Sequence, residues 1–479
     1  MSNINNQESF IKNRRTGSAK RASCFSEGQE YEDNSKTETE ESEQKIGSLD
    51  VDIKKKKQIE ENYKTNFYFN LNEIICIVNI LASAFGVGAF TFPYILYEIG
   101  VINSLFIFII LSISVYFSLD LLRRFVVDSH LFSYSSITKK TLGNCWLKIY
   151  AISTFLFYIA NIINYLNIIY NLAKSMMNFL DDLFPKISYF IITFSIELLL
   201  CIFTSNISKI YIFSFIGVVG FIIVFFIVII KGIIVLSTDD ERFKYFYFFS
   251  FQNTSSPWEK FLALMAKTIE FFYGYIYHST FPTLLSELKN LENENTKKIH
   301  NISFGIICTV YALFSFFGLF CIDSDNIDKN VLFVNGKDLK DNNPLICIFK
   351  SILILLFLAL IPVRYLIIRD NYTSIIGKEF LQKKIEIIIT SICLFITNLF
   401  VYFANFDNLI SNLILIFGGF FGVFIGFVLP VINYISINGR TKNRAIIGYI
   451  VAGIFVVVGF FSIFYNFNQK EKIEPNITS

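Results

Sequence analysis

Charge is what this sequence is short of. Of 479 residues only 17% are Asp, Glu, Lys or Arg, while 53% are hydrophobic. Soluble domains carry about a quarter charged residues, so a soluble enzyme is excluded. Lys+Arg 42 against Asp+Glu 39 leaves a net +3, too little to argue for an anionic partner, and a nucleic-acid-binding role is excluded. Only three histidines occur, His130, His278 and His300, which excludes a His-rich metal site. The eight cysteines are scattered, with no CxxC pair, which excludes a thiolate metal cluster and a disulfide-dense secreted scaffold. Cys321 and Cys347 flank one polar loop and are either a disulfide on a non-cytoplasmic side or two free thiols. No HxxxxD element, intramembrane aspartate pair or metal motif supplies a catalytic constellation, and no repeated filter or charged ring suggests a channel. Neither a cofactor nor a metal is expected.

What the chain has is long apolar runs. Eleven fall at about 73–97, 101–122, 147–177, 187–204, 210–236, 258–284, 302–322, 345–367, 385–404, 409–434 and 445–467. About twenty apolar residues cross the ~30 Å hydrocarbon core of a bilayer, so the expected fold is an all-α integral membrane protein with about eleven transmembrane helices. Three regions follow: a disordered cytoplasmic tail over 1–70, a transmembrane domain over 71–467 and a short non-cytoplasmic tail over 468–479. The first tail is rich in Asn, Ser, Glu and Lys, with an acidic run from Glu27 to Glu43 and then Lys54–Lys57. Such a segment buries too little apolar area to offset the entropy of ordering it, and it lacks the layout of a signal peptide. With the amino terminus inside, 29 of the 42 Lys and Arg residues fall in the tail and the inside loops, Arg364 among them; that bias sets the expected orientation. The sequon at Asn253 then lies on the far side, open to glycosylation.

Two spans are interrupted. The first holds Ser83-Ala84-Phe85-Gly86-Val87-Gly88-Ala89 and then Pro93; the sixth holds Glu270-Phe271-Phe272-Tyr273-Gly274-Tyr275, then His278 and Pro282. Glycine and proline weaken a helix near its middle. Backbone unwound at membrane depth must find a ligand, an ion, water or protein. Gly86 and Gly88 alone could equally mean close helix packing. Breaks at corresponding places in two halves point instead to a transporter's substrate site. Their positions, spans 1 and 6, imply two five-helix repeats, 1–5 and 6–10, with span 11 appended; an odd repeat inverts topology.

Gly86-Val87-Gly88-Ala89-Phe90-Thr91-Phe92-Pro93-Tyr94 resembles the GxGxxxxPY element of the amino acid/auxin permease family of amino acid transporters. The stretch Phe272 to Lys289 is similar too, with His278 nine residues before Glu287 and with Pro282 one residue earlier than the family's proline. Ser133-Tyr134, Gly143, Pro362, Arg364, Gly418-Gly419 and Pro430 fall in the family's order. The resemblance covers about residues 70–467 and is strongest, by composition, to apicomplexan members. It implies a leucine-transporter-like (LeuT-like) 5+5 inverted repeat with broken helices 1 and 6, and alternating access for amino acids.

Substrate-binding candidates come from the two breaks. Ser83, Phe85, Gly86 and Gly88 offer backbone groups and a hydroxyl to a carboxylate and an ammonium. Phe272, Tyr273, Gly274 and Tyr275 offer carbonyls and an aromatic wall. Asn161, Asn164 and Tyr165 share one helix face at i, i+3, i+4, which either closes the site or forms an interhelical hydrogen-bond stripe. Glu270 is the candidate proton-coupling residue, because an ionisable group at membrane depth is costly and functional by default; its alternative is a salt bridge to Lys267. His278 is a second titratable candidate, and Glu197 a second intramembrane acid. After Ser351, span 8 has no hydroxyl before Pro362, so a sodium site of the kind found in coupled relatives is not expected. The expected partners are the lipid bilayer, a small-molecule amino acid, aromatic, large neutral or cationic, and protons if transport is coupled. The expected location is the plasma membrane or a lysosome-like digestive vacuole membrane. The competing reading is a membrane-embedded amino-acid sensor that keeps the transporter fold and signals through its tail.

Overall fold

The structure is a computed structural model that describes residues 69–176, 186–203, 210–238, 251, 256–321, 344–376, 383–403, 414–438 and 443–473. The amino-terminal tail and the Asn253 sequon lie outside the described residues. Every element among those residues is helical.

The chain enters at α1 (Leu71–Ala84), whose start is fixed by sequence chemistry: the Asn70 backbone N–H donates to the Glu73 carboxylate at 3.2 Å. An acid in the first turn also complements the positive end of the helix. Phe85 and Gly86 are extended, and α2 (Val87–Ile99) resumes the span at an angle of 53°. Gly100, at φ +84°, turns the chain into α3 (Val101–Ser129); a positive φ of that kind suits glycine. A short helix, α4 (Tyr134–Leu142), lies between α3 and the long α5 (Asn144–Met176). Next come α6 (Lys186–Phe203) and α7 (Ile210–Thr238).

The second half begins at α8 (Pro257–Gly274). The Ser256 hydroxyl caps it by accepting from the Glu259 N–H at 3.2 Å, and Pro257 takes the first turn, where its missing N–H costs nothing. The helix stops at Gly274, and one turn, α9 (Phe281–Leu285), follows after a gap of six residues. Then come α10 (Asn293–Leu319), α11 (Pro344–Ile376) and α12 (Lys383–Phe403). Residues 414–428 run as two wide-turned π-helical stretches before α13 (Leu429–Asn438), and α14 (Asn443–Ile473) ends the bundle.

Eight of these helices are long and apolar enough to cross a membrane, and the bent pair α1–α2 makes a ninth crossing. The shorter apolar Phe190–Ile202 and the broken pair α8–α9 stand where spans 4 and 6 were expected. The α8–α9 pair is set apart by its break and by the charges of Glu259, Lys260, Lys267 and Glu270. The rims face outwards with Ile109, Ile113, Phe226, Ile230 and Phe460 exposed, the apolar coat that a bilayer solvates. The inside of the bundle is polar at chosen points. Arg123, fully buried, holds Asp120 at 2.7 Å and the Asn293 side chain at 2.6 Å, tying the end of α3 to the start of α10.

Cys321 and Cys347 are both unbridged, and the Cys321 thiol donates to the Val228 carbonyl at 3.7 Å.

Candidate functional site

The two breaks touch. A β-carbon built on Gly88 would lie 2.5 Å from the Gly274 Cα and 2.7 Å from its nitrogen, so the chain of one break rests directly on the other. Glycine is required at that point by proximity, not by dihedral angle.

Breaking a helix leaves carbonyls without intrahelical partners. Two of them, Ala84 O at the end of α1 and Gly274 O at the end of α8, accept from one donor, the Tyr311 hydroxyl of α10, at 2.7 and 2.9 Å. Both carbonyls carry the partial negative charge of a helix C-terminus, so this is a point that attracts a cation or a donor. On the other side of the first break, the N-terminus of α2 has the opposite polarity. There a β-carbon on Gly86 would meet the Tyr165 hydroxyl at 2.7 Å and the Arg364 Nη2 at 3.2 Å. The Arg364 Nε donates to the Tyr165 hydroxyl at 3.2 Å.

The expected residues divide by geometry. Ser83, Gly86, Gly88, Gly274, Tyr165 and Tyr273 come together at the breaks. Tyr273 receives the Asn164 amide at 3.1 Å and packs under Gly418. Asn161 instead donates to Phe157 O of its own helix at 2.9 Å. Phe85 stacks on Phe221 of α7, ring centres 4.3 Å apart. Phe272 turns towards the wide-turned segment and stacks on Phe427 at 4.6 Å. Tyr275 points to α3, its hydroxyl 3.1 Å from that of Ser112. His278 is fully buried beside Phe272 and Phe427, with no hydrogen-bond partner on either ring nitrogen.

Glycines explain the wide turns. Gly418, Gly422 and Gly426 lie against Tyr273, Ile276 and Phe272, bedding the second break. The carbonyls that the wider turn disturbs are met from outside: Tyr134 donates to Ile425 O at 3.0 Å and Ser118 to Gly426 O.

Seven residues from Gly274, Lys267 is bonded by both oxygens of Glu270, at 3.0 and 2.9 Å, and also contacts the Glu98 carboxylate of α2. Glu98 in turn accepts from the Tyr94 hydroxyl at 2.7 Å. This cluster clamps the far half of span 1 to the far half of span 6. On the side from which α1 enters, a narrow crevice of about 40 Å³ reaches Ser83, Tyr150, Ser279 and Val363. Near its mouth, Asn79 donates to Glu287 at 2.8 Å. The crevice thus stops at Ser83, beside the first break, and the ion-pair cluster ties α2 to α8.

Glu197 belongs to neither. Buried between α6 and α12, it accepts from Asn398 at 2.8 Å, and Asn398 accepts from Thr193 at 3.1 Å. Sequence reading missed Glu98, Tyr311 and the place of Arg364. Arg364 is only 4% exposed, so it is an internal residue of the bundle and not a charge of an inside loop. Glu98 had a signal, as an acid at the end of an interrupted span. Tyr311 had none in a chain with 25 tyrosines.

Paired broken helices in a helical membrane bundle, abutting at their glycines, define a secondary-transporter architecture. The leucine-transporter fold is confirmed by solved structures: a manganese transporter of Eremococcus coleocola, in complex with an aromatic bis-isothiourea substituted compound, superimposes with a TM-score of 0.52 at 13% identity, covering 82% of this chain and 86% of that one. Two variants of the same transporter match with the same score and coverage at 12% identity. Residues 73–469 match the family model described as "Transmembrane amino acid transporter protein", and the chain belongs to that family. No curated protein matches it in sequence. Among the described residues no group of three His, Cys, Asp or Glu side chains could hold a metal ion.

Proposed function

We propose that this multi-pass membrane protein carries a neutral α-amino acid by alternating access, with the polar ends of the zwitterion held at the two breaks. The observation that supports it is the pair of half-helix carbonyls, Ala84 O and Gly274 O, sharing the Tyr311 hydroxyl. An ammonium has three donors and a full charge, so it satisfies both carbonyls better than one hydroxyl can. The opposite polarity at the start of α2 receives the carboxylate. Ser83, Gly86, Gly88, Gly274, Tyr165 and Tyr273 form the immediate surroundings, while Phe85, Phe272, Tyr275 and Asn161 set the shape of the breaks by packing behind them. The aromatic surroundings favour a large neutral or aromatic side chain.

Glu270 is the proton-coupling group of this reading. Two carboxylates, Glu98 and Glu270, share one ammonium, Lys267. A proton delivered to that cluster weakens the clamp between the far halves of spans 1 and 6 and so favours opening on that side. His278 is the second candidate, buried close to the second break. The amino terminus is cytoplasmic, following the Lys and Arg bias, and the protein resides in the plasma membrane or a digestive vacuole membrane.

The test is uptake of a labelled amino-acid mixture into proteoliposomes under imposed proton or sodium gradients. Uptake stimulated by protons and indifferent to sodium is the expected result. Saturable binding with no transport under any gradient would overturn the carrier in favour of a sensor.

A further inference from the structure

Among the described residues, Arg364 is a buried cation without an anion. Its side chain is 4% exposed, its Nε is used by the Tyr165 hydroxyl, and its Nη1 is buried with no hydrogen-bond partner. Among the described residues no ion pair includes it. The Tyr158 ring, 5.9 Å from its central carbon, is a weak substitute for a carboxylate. Guanidinium stays protonated at any physiological pH, so it does not escape the burial cost by losing its charge. A charge kept in this position calls for a mobile counter-ion.

The geometry says where that counter-ion goes. Nη2 lies 3.2 Å from the position a β-carbon would take on Gly86, at the entrance to the first turn of α2. Within that turn the Ala89 N–H already donates to the Gly86 carbonyl at 3.1 Å, while the N–H groups that open the helix before it have no intrahelical acceptor. The Tyr165 hydroxyl accepts from Arg364 and keeps its own proton to donate. The groups facing this point are Gly86 from the first break, Tyr158 and Tyr165 from α5, and the guanidinium itself from α11. None of these four is a carboxylate.

We propose that Arg364 is the substrate-selecting residue of this carrier, binding the carboxylate of its amino acid together with the first turn of α2. The proposal rests on the transporter reading above and makes it more specific. The planar fork of a guanidinium matches a carboxylate. Once a zwitterion binds, its carboxylate balances Arg364 while its ammonium meets Ala84 O and Gly274 O. An amine or amide lacking the carboxylate leaves Arg364 unpaired beside a second positive charge. Such compounds, and decarboxylated amines above all, are excluded.

The experiment measures binding of labelled phenylalanine and leucine to the purified full chain, in competition with phenylalaninamide, leucinamide and phenethylamine. The wild-type protein is expected to prefer the acid over its amide by about 10- to 100-fold, the scale of one charge-assisted hydrogen-bonded pair. Arg364→Gln should bind acid and amide alike, and Arg364→Lys should keep only part of the preference, because an ammonium lacks the fork. A wild-type protein that binds amide as tightly as acid overturns the proposal and leaves the carrier reading standing. So does an Arg364→Gln protein with undiminished discrimination. If thermal melting shows Arg364→Gln to be misfolded, Arg364→Lys decides: full wild-type preference refutes the role, partial loss supports it. A wild-type chain that neither binds nor transports any member of a full amino-acid mixture refutes the transporter reading itself, and this inference with it.

Discussion

Gly88→Ala is the smallest change that tests whether the two breaks work as one device. The added methyl would sit 2.5 Å from the Gly274 Cα and 2.7 Å from its nitrogen, where ordinary contact begins at 3.4 Å. Both opposing atoms are backbone, so no side-chain rotation relieves the clash. The breaks must separate by about 1 Å, at a cost of about 1–3 kcal/mol for overpacking of this kind. Separation also moves Gly274 O relative to Ala84 O, so one Tyr311 hydroxyl no longer serves both. Gly305→Ala is the matched control, since a β-carbon there meets nothing within 4 Å. Gly86→Ala is an intermediate case, because its neighbours are the ends of the Tyr165 and Arg364 side chains. The assay is initial uptake in proteoliposomes beside thermal melting in detergent. Gly88→Ala should lose most transport and some stability, with normal membrane delivery, while Gly305→Ala behaves as wild type. Normal uptake by Gly88→Ala would refute the contact between the breaks.

Tyr311→Phe removes the donor shared by Ala84 O and Gly274 O, so it should destabilise the empty protein by about 1–3 kcal/mol yet leave substrate binding in place; an unchanged melting temperature would contradict that role. Glu270→Gln should flatten the pH dependence of uptake, since the clamp then holds one carboxylate for its one lysine, and an unchanged pH profile would remove Glu270 as the coupling group. Deleting residues 1–60 should leave transport near normal in proteoliposomes, and a well-folded but inactive truncation would make the tail a gate.

What local chemistry controls was readable along the chain. Hydropathy placed the apolar runs because burial in lipid depends on composition over about twenty residues. Gly86, Gly88 and Gly274, with Pro93 and Pro282, marked both breaks because helix weakness is a property of the residue itself. The order of those motifs carried the family. The breaks in spans 1 and 6 suggested two five-helix repeats, and the family resemblance implied the leucine-transporter-like fold.

The partners across the bundle were another matter. Lys267 suggested Glu270, three residues away on the same helix, but its second carboxylate, Glu98, comes from a different half of the protein. Asn398, which meets Glu197, lies 201 residues further on. Arg364 reads in sequence as a loop charge, and only the packing of α11 against α5 and the first break makes it an internal cation. Tyr311, one tyrosine of 25, gains its place because α10 passes both broken ends at hydrogen-bond distance. Composition and periodicity act over neighbours, so the sequence by itself determined the helices and where they break. The pairing of charges and donors depends on contacts between residues some two hundred positions apart, and only the tertiary structure decided it.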